Sequence, residues 1–298
     1  MPGPPKRFAQ AIGLAVSGSA AIAWTLGSGA VAIAGIGVLV VAATLESAAG
    51  ISLGCIVYRL LWECEGCDDI SADNAGWSFA GEVPARFDAH VRRSVPFYDE
   101  GHGLIAELSD WFVAEGSVIY DLGCATGRLS RMLAERHRER VPRVLAVDRD
   151  PGMLERAREV CAGVSGIELV EADLDGLDPV PCDLVVAYYT LQFLRPHRRQ
   201  RVLDRLYRAL HEGGALVLFE KVRAPDARFQ DIASGLYTEL KLRRGFAGAE
   251  IVNKARSLKG VLEPFSTRGN LELLAQAGFT DVMTLFKYVC FEGFVAVK

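Results

Sequence analysis

The feature that most constrains this 298-residue chain is a run without charge. From Phe8 to Leu45, 38 residues, there is no Asp, Glu, Lys or Arg, and Ala, Val, Ile, Leu and Gly fill most positions. As one helix the run would be about 57 Å long, well beyond a hydrocarbon core of roughly 30 Å. Gly27-Ser28-Gly29 divides it into two pieces of about 17–19 residues, each just long enough to cross. The expectation is a two-helix transmembrane hairpin. Lys6 and Arg7 before the first piece and Arg59 after the second place both ends in the cytoplasm by the positive-inside rule, and Trp24 suits the interface. The chain would then be a two-pass protein of the inner membrane, with its remaining domain cytoplasmic. Small residues at Gly13, Ser17, Gly18, Gly35 and Gly37 would let the spans pack closely. A signal peptide has a much shorter apolar region, about 7–15 residues. A buried soluble hairpin stays open as an alternative, because Gly and Ala are abundant and Leu is sparse.

Behind the run, Cys55 and the Cys64-x-x-Cys67 pair have the spacing of a redox couple or half a metal site. No second pair follows and no His is near, so ordinary reduced cysteines are the plainer reading and no metal is assigned. Residues 1–67 thus read as hairpin plus juxtamembrane cysteine segment, and the polar, Gly-containing stretch 68–82 as a linker. The whole chain is 50% hydrophobic and 23% charged, with net charge −4 and mean hydropathy +0.19. Those values exclude a disordered chain, and seven cysteines without framework spacing exclude a disulfide scaffold. Without a basic footprint, no direct nucleic-acid binding is expected.

From residue 83 the pattern changes to alternating helices and strands. Helices are predicted at 84–94, 101–115, 127–139, 151–162, 197–210 and 266–277. Strands are predicted at Ser117–Asp121, Arg143–Asp148, Ile167–Glu171, Asp183–Tyr188, Ala215–Glu220, 279–289 and 291–297, the last two antiparallel. Runs of Val, Leu and Ile between helices indicate an α/β fold with a mainly parallel sheet covered on both faces. A polar, Lys- and Arg-rich helical insertion at 225–262 reads as a lid. Ligands of such sheets bind beyond the carboxyl ends of the strands, where strand order reverses.

The motifs fall there. The first strand runs into Asp121-Leu-Gly123-Cys124-Ala125-Thr126-Gly127, a loop in which glycines allow close approach of a ligand. Ala125 stands where a dinucleotide fingerprint has its second Gly, so the loop need not cradle pyrophosphate. Asp148 ends the second strand, placed to accept from ribose hydroxyls. Glu171-Ala172-Asp173-Leu174 ends the third, where a carboxylate can take an exocyclic amine, and Met153 is placed to pack on a base. In order and spacing these elements resemble the class I S-adenosylmethionine (SAM)-dependent methyltransferases. That resemblance implies a Rossmann-like seven-stranded methyltransferase sheet, with SAM as cofactor.

Phe87-Asp88, Arg93-Ser94-Val95-Pro96-x-Tyr98, Tyr189-Thr190-Leu191-Gln192-Phe193-Leu194 and Gly213-Gly214-Ala215-Leu216-Val217-Leu218-x-Glu220-Lys221 narrow it further. With the Gly loop, they resemble the bacterial carboxy-S-adenosylmethionine synthases over about residues 83–298. That family converts SAM, with prephenate, into the carboxymethyl donor for tRNA wobble uridines, and its dimers imply a homodimer. The resemblance assigns Tyr98, Asp121, Gly123, Cys124, Gly127, Asp148, Arg149, Met153, Asp173, Leu174 and Tyr188 to the cofactor. The stretch from the apolar run through Gly54-Cys55 and Tyr58-Arg59-Leu60-Leu61 similarly resembles small bacterial Gly-Cys membrane proteins.

The departures from the synthase pattern carry weight. The family's carboxylate-gripping Arg falls on Ala255, with Arg256 one residue, about 100° of helix, away. Tyr188 and Arg149 replace family asparagines. Without a placed cation, a carboxylated sulfonium gains little over SAM. The expectation is therefore a membrane-tethered methyltransferase, with Tyr188, Tyr189 and Arg256 at the reacting centre. Gln192, Tyr237, Lys241 and Arg244 would line the pocket of a small lipophilic or thiol acceptor. Carboxy-SAM synthesis is the first alternative, and a non-catalytic SAM-binding membrane module the second.

Overall fold

The computed structural model describes residues 4–31, 33–37, 39, 40 and 83–298, and the chain divides into two units, Met1–Cys67 and Asp68–Lys298. In the first unit, α1 spans Pro4–Thr25, and residues 29–31 and 33–37 are also helical. Among the described residues no helix is long and apolar enough to cross a membrane, which overturns the transmembrane hairpin and the two-pass inner-membrane placement. Length is not what fails, since 22 residues of helix rise about 33 Å. α1 opens on Pro-Pro-Lys-Arg, and the chain leaves the helix at residues 26–28, so that beyond it only 29–31, 33–37, 39 and 40 are described as helical. Cys55, Cys64, Cys67 and the linker 68–82 lie outside the described residues.

The second unit begins with α2 (Val83–Ser94) and α3 (Tyr98–Leu108). There follow β1 (Val118–Leu122), α4 (Arg128–Arg136), β2 (Arg143–Asp148), α5 (Pro151–Val160), β3 (Ile167–Glu171) and β4 (Cys182–Tyr188). Next come α6 (Pro196–Ala209), β5 (Leu210–Lys221), α7 (Ala227–Arg243), α8 (Gly248–Ser257), α9 (Thr267–Ala277), β6 (Asp281–Tyr288) and β7 (Phe291–Val297). The seven strands form one sheet in the order β3-β2-β1-β4-β5-β7-β6, parallel except for β7, which lies antiparallel between β5 and β6.

Consecutive strand residues feed two separate cores, as a period of two requires. Tyr120, Leu122, Leu145, Val147, Val185 and Ala187 meet Val202, Leu203 and Leu206 of α6 and Leu274 of α9. Ile119, Val144, Leu184 and Val186 meet Ile105 of α3 and Leu129 and Leu133 of α4 on the other face. A strand buried on both faces must be apolar at nearly every position, which is why β4 reads Leu-Val-Val-Ala. Helix starts are written locally: Asp150 caps α5 by accepting from the Met153 N–H at 3.1 Å, with Pro151 at its first turn, and Asp226 and Ser266 cap α7 and α9. Strand order reverses between β1 and β4, so a cleft opens above their carboxyl ends.

Candidate functional site

The loop leaving β1 alternates left-handed residues: φ is 73° at Gly123, 47° at Ala125 and 77° at Gly127. A β-carbon at Gly123 would lie 2.5 Å from Thr190, so only glycine lets the β1 and β4 ends approach this closely. Ala125 holds a conformation that costs a residue with a β-carbon, and its N–H donates to Asp148 Oδ2 at 2.9 Å. The Asp150 N–H donates to Asp148 Oδ1 at 3.0 Å. Each Asp148 oxygen thus accepts from the backbone, Arg149 adding a further N–H, and the carboxylate's roughly four lone-pair sites leave capacity for a ligand hydroxyl. Burial pushes this carboxyl above the usual range, while its backbone donors pull it down. Thr126 Oγ1 donates to Asp88 at 2.8 Å, fastening α2 to the loop.

Asp121 lies beneath the loop. Its carboxylate accepts from Ser130 Oγ at 2.5 Å, and burial pushes its pKa up to about 6, opposed by that hydrogen bond.

An aromatic wall forms where β4 ends. Tyr188 donates its hydroxyl to the Tyr98 carbonyl at 2.8 Å, and the ring of His102 packs on both tyrosines with centroids 4.7 and 4.8 Å away. Burial pushes His102 down to about 4, so the imidazole is neutral. Tyr189 has φ 59°, an outlier for a bulky residue, held by its N–H donating to the Phe219 carbonyl at 2.8 Å. Gln192 is spent on the frame: Nε2 donates to the Tyr189 carbonyl, and Oε1 accepts from the Lys221 N–H.

Helices α7 and α8 supply the cover. Tyr237 donates its hydroxyl to the Ser94 carbonyl at 2.8 Å. One nitrogen of Arg244 faces the carbonyls of Arg92, Arg93 and Val95 at 3.0–3.1 Å. Lys221 Nζ and Lys241 Nζ stand 4.4 and 4.5 Å from the centroid of the Tyr237 ring.

These parts line a common, partly open cavity of 240 Å³. Of the residues expected at the cofactor, it is lined by Tyr98, Gly123, Asp148, Arg149, Met153, Asp173, Leu174 and Tyr188. Tyr189, Gln192, Tyr237 and Lys241 line it as well. Asp121, Cys124 and Gly127 do not, because they shape the loop from below. Arg244 is drawn away to the end of α2, and Arg256 and Ala255 are exposed on α8 outside the cavity. The expected Arg256 at the reacting centre is therefore not brought there, because α8 turns Lys254 and Leu258 inward instead. Sequence reasoning passed over Lys221, Lys254, His90 and Phe291. Lys221 carried a signal, a cation at the carboxyl end of a strand beside the order reversal.

Comparison with known proteins gives the class first. A methyltransferase-domain family model matches residues 119–214, which hold the Gly loop, Asp148 and Tyr188. The fold is shared with an O-methyltransferase family protein from Burkholderia thailandensis (TM-score 0.53, 17% identity, 72% of this chain and 59% of that one). It is shared too with human N-acetylserotonin methyltransferase in complex with SAM (TM-score 0.51, 16% identity, 74% and 57%). The chain is an enzyme of the SAM-dependent methyltransferase class. Within it, the chain is 38% identical to carboxy-S-adenosyl-L-methionine synthase of Methylococcus capsulatus, over 74% of this chain and 93% of that one. It is 37% identical to the Chromohalobacter salexigens protein of the same name, over 75% and 84%. The chain belongs to the carboxy-S-adenosyl-L-methionine synthase family. Residues 1–63 match a separate domain of unknown function (DUF4395).

Proposed function

We propose that this chain makes carboxy-SAM, taking its carboxyl group from a small carboxylic acid, prephenate in the family it belongs to. The observation that carries this reading is the continuity of the cavity. The residues suited to SAM and the inward residues of α7 and α8 line one continuous cavity, which suits a nucleoside together with a second small molecule. The residues present fit SAM: two glycine-class turns admit it, and Asp148 keeps acceptor capacity for its ribose. When bound, SAM would supply a methyl group acidified by its positive sulfonium; carboxylation would exchange one methyl C–H bond for a C–C bond while the donor acid's own bond to its carboxyl carbon breaks, and with prephenate the ring's hydroxide would leave with the methyl proton as water as the ring becomes aromatic. Tyr98, Tyr188 and Tyr189 present electron-rich ring faces of the kind that attract a cation. Met153 and Leu174 give an apolar bed for a base, and Asp173 an acceptor for its amine. Tyr237, Leu258 and Leu262 exclude water from the space above. The partners are small molecules, with no direct nucleic-acid contact, and a homodimer is the family's expectation.

One observation favours plain methyl transfer as a second reading. Ala255 and Arg256 stand outside the cavity, so no guanidinium takes the place of the family's carboxylate-gripping Arg. A thiol acceptor then needs the fewest additional groups. Incubating the full chain with SAM and prephenate, with SAM and a thiol panel, and reading products by mass spectrometry tests both. The proposal expects carboxy-SAM only when prephenate is present. Release of S-adenosylhomocysteine with a methylated thiol, and no carboxylated product, would refute it.

A further inference from the structure

The cavity is polarised along the sheet. Two carboxylates and one cation, Asp148, Asp173 and Arg149, line it at the β2 and β3 end, whereas Lys221 at the end of β5 and Lys241 on α7 line it at the other with no carboxylate among the lining residues there. Both ammonium groups gather on one ring, Tyr237, at 4.4 and 4.5 Å. Among the described residues neither has an ion-pair partner. We propose that Lys221 and Lys241, assembled on Tyr237, form the seat for a carboxylate of the second substrate. This deepens the carboxylation reading and rests on it for the substrate's identity, but not for the seat itself.

Two cations brought together out of water oppose one another unless an anion joins them. Burial lowers both lysines, Lys241 to about 8, and the charge of Lys221 lowers Lys241 further. A bound carboxylate reverses both effects, so the site is built to be completed by one. The remaining walls select its body. Tyr189, Phe291, Leu258 and Leu262 line the same space and offer apolar contact, which fits a compact ring-bearing acid. Phosphate suits the seat less well. Phosphate sites commonly draw on backbone N–H groups at a helix start, and at α7 the Phe229 N–H is already taken by Asp226.

The test uses the full chain loaded with S-adenosylhomocysteine and titrated by calorimetry with phenylacetate and, separately, inorganic phosphate. Lys221→Gln and Lys241→Gln are each expected to weaken phenylacetate by about tenfold or more, with Lys241→Arg restoring most of it and nucleoside affinity holding within about twofold. Three results would overturn the seat: no phenylacetate binding to the parent, equal binding in parent and Gln variants, or phosphate held as tightly as phenylacetate. Loss of nucleoside affinity in parallel with phenylacetate would also overturn it, since it would mark a general collapse of the cavity. Lysine-dependent phenylacetate binding in a protein that forms no carboxy-SAM from prephenate would leave the seat standing and remove the carboxylation reading alone.

Discussion

The hydroxyl of Tyr188 occupies the space that a side chain on residue 101 would need: a β-carbon at Gly101 would lie 2.1 Å from that oxygen. The same hydroxyl donates to the Tyr98 carbonyl one turn earlier on α3. The two residues therefore register α3 against the end of β4, and with it the Tyr98 ring that faces the cavity. Gly101→Ala should expel the Tyr188 ring and weaken SAM by about tenfold, a cost of about 1.4 kcal/mol. Tyr188→Phe keeps the wall, loses one hydrogen bond of about 1 kcal/mol, and should be the milder change. Calorimetric titration of SAM into both variants checks the order.

Asp148 is the acceptor on which the ribose reading depends. Asp148→Asn keeps the shape, removes the charge, and should weaken SAM by about 2 kcal/mol, or about thirtyfold. Because burial raises this carboxyl above its ordinary value, SAM binding should begin to weaken at a higher pH than an exposed aspartate would dictate. It should weaken as pH falls, since the protonated form loses acceptor capacity. Affinity measured against pH in parent and Asp148→Asn tests this, the variant being expected to show a flat profile.

His137 gives a stability signature. Its Nε2 lies 2.7 Å from Ser109 Oγ, which itself donates to the Ala106 carbonyl, and its Nδ1 faces Arg140 at 3.3 Å. With the serine proton used, Nε2–H must donate and Nδ1 must accept, so the folded imidazole is neutral. Burial, then the charge of Arg140, lowers its pKa. The unfolded state binds the proton more readily, so stability falls as pH drops below about 6.5 toward the folded pKa. Thermal melts of parent and His137→Gln at pH 7 and pH 5 should show a larger loss on acidification in the parent.

Glu220 carries the opposite slope. It is buried on β5 and pushed up to about 8 by burial, against a downward pull from Arg199. Here the folded state holds the proton more tightly, so stability falls as pH rises from about 4.5 to about 8. Glu220→Gln removes the ionisation and should gain melting temperature over the parent above pH 8, with the smallest difference near pH 5.

The sheet was legible because its chemistry is local. Arg143–Asp148 and Ile167–Glu171 emerge at their expected bounds, each an apolar run ended by a carboxylate. β5 begins five residues before the expected Ala215, at Leu210, because Cys182 on β4 pairs with Leu210, a partner no local pattern contains. Helix α3 starts at Tyr98 rather than 101, after Phe97 turns left-handed at φ 56°. In the site, glycines and strand-end acids could be read because loop geometry demands them. Which face of α7 or α8 turns inward is decided by packing, so the expected Tyr237 and Lys241 line the cavity while Arg244 and Arg256 do not, and Lys254 was missed. The uncharged N-terminal run was read as two spans, and among the described residues no helix is long and apolar enough to cross a membrane.

The fastening of α7 to α2 has a mechanical consequence. The Tyr237 hydroxyl donates to the Ser94 carbonyl, and one Arg244 nitrogen, with its two N–H groups, is shared among the carbonyls of Arg92, Arg93 and Val95. Opening the cavity must break that clasp or carry both helices as one body. Phe87 and His90 on α2 and Lys241 on α7 then move together. Any coupling that this clasp carries between ligands at the two ends is reciprocal, each changing the other's affinity by the same factor.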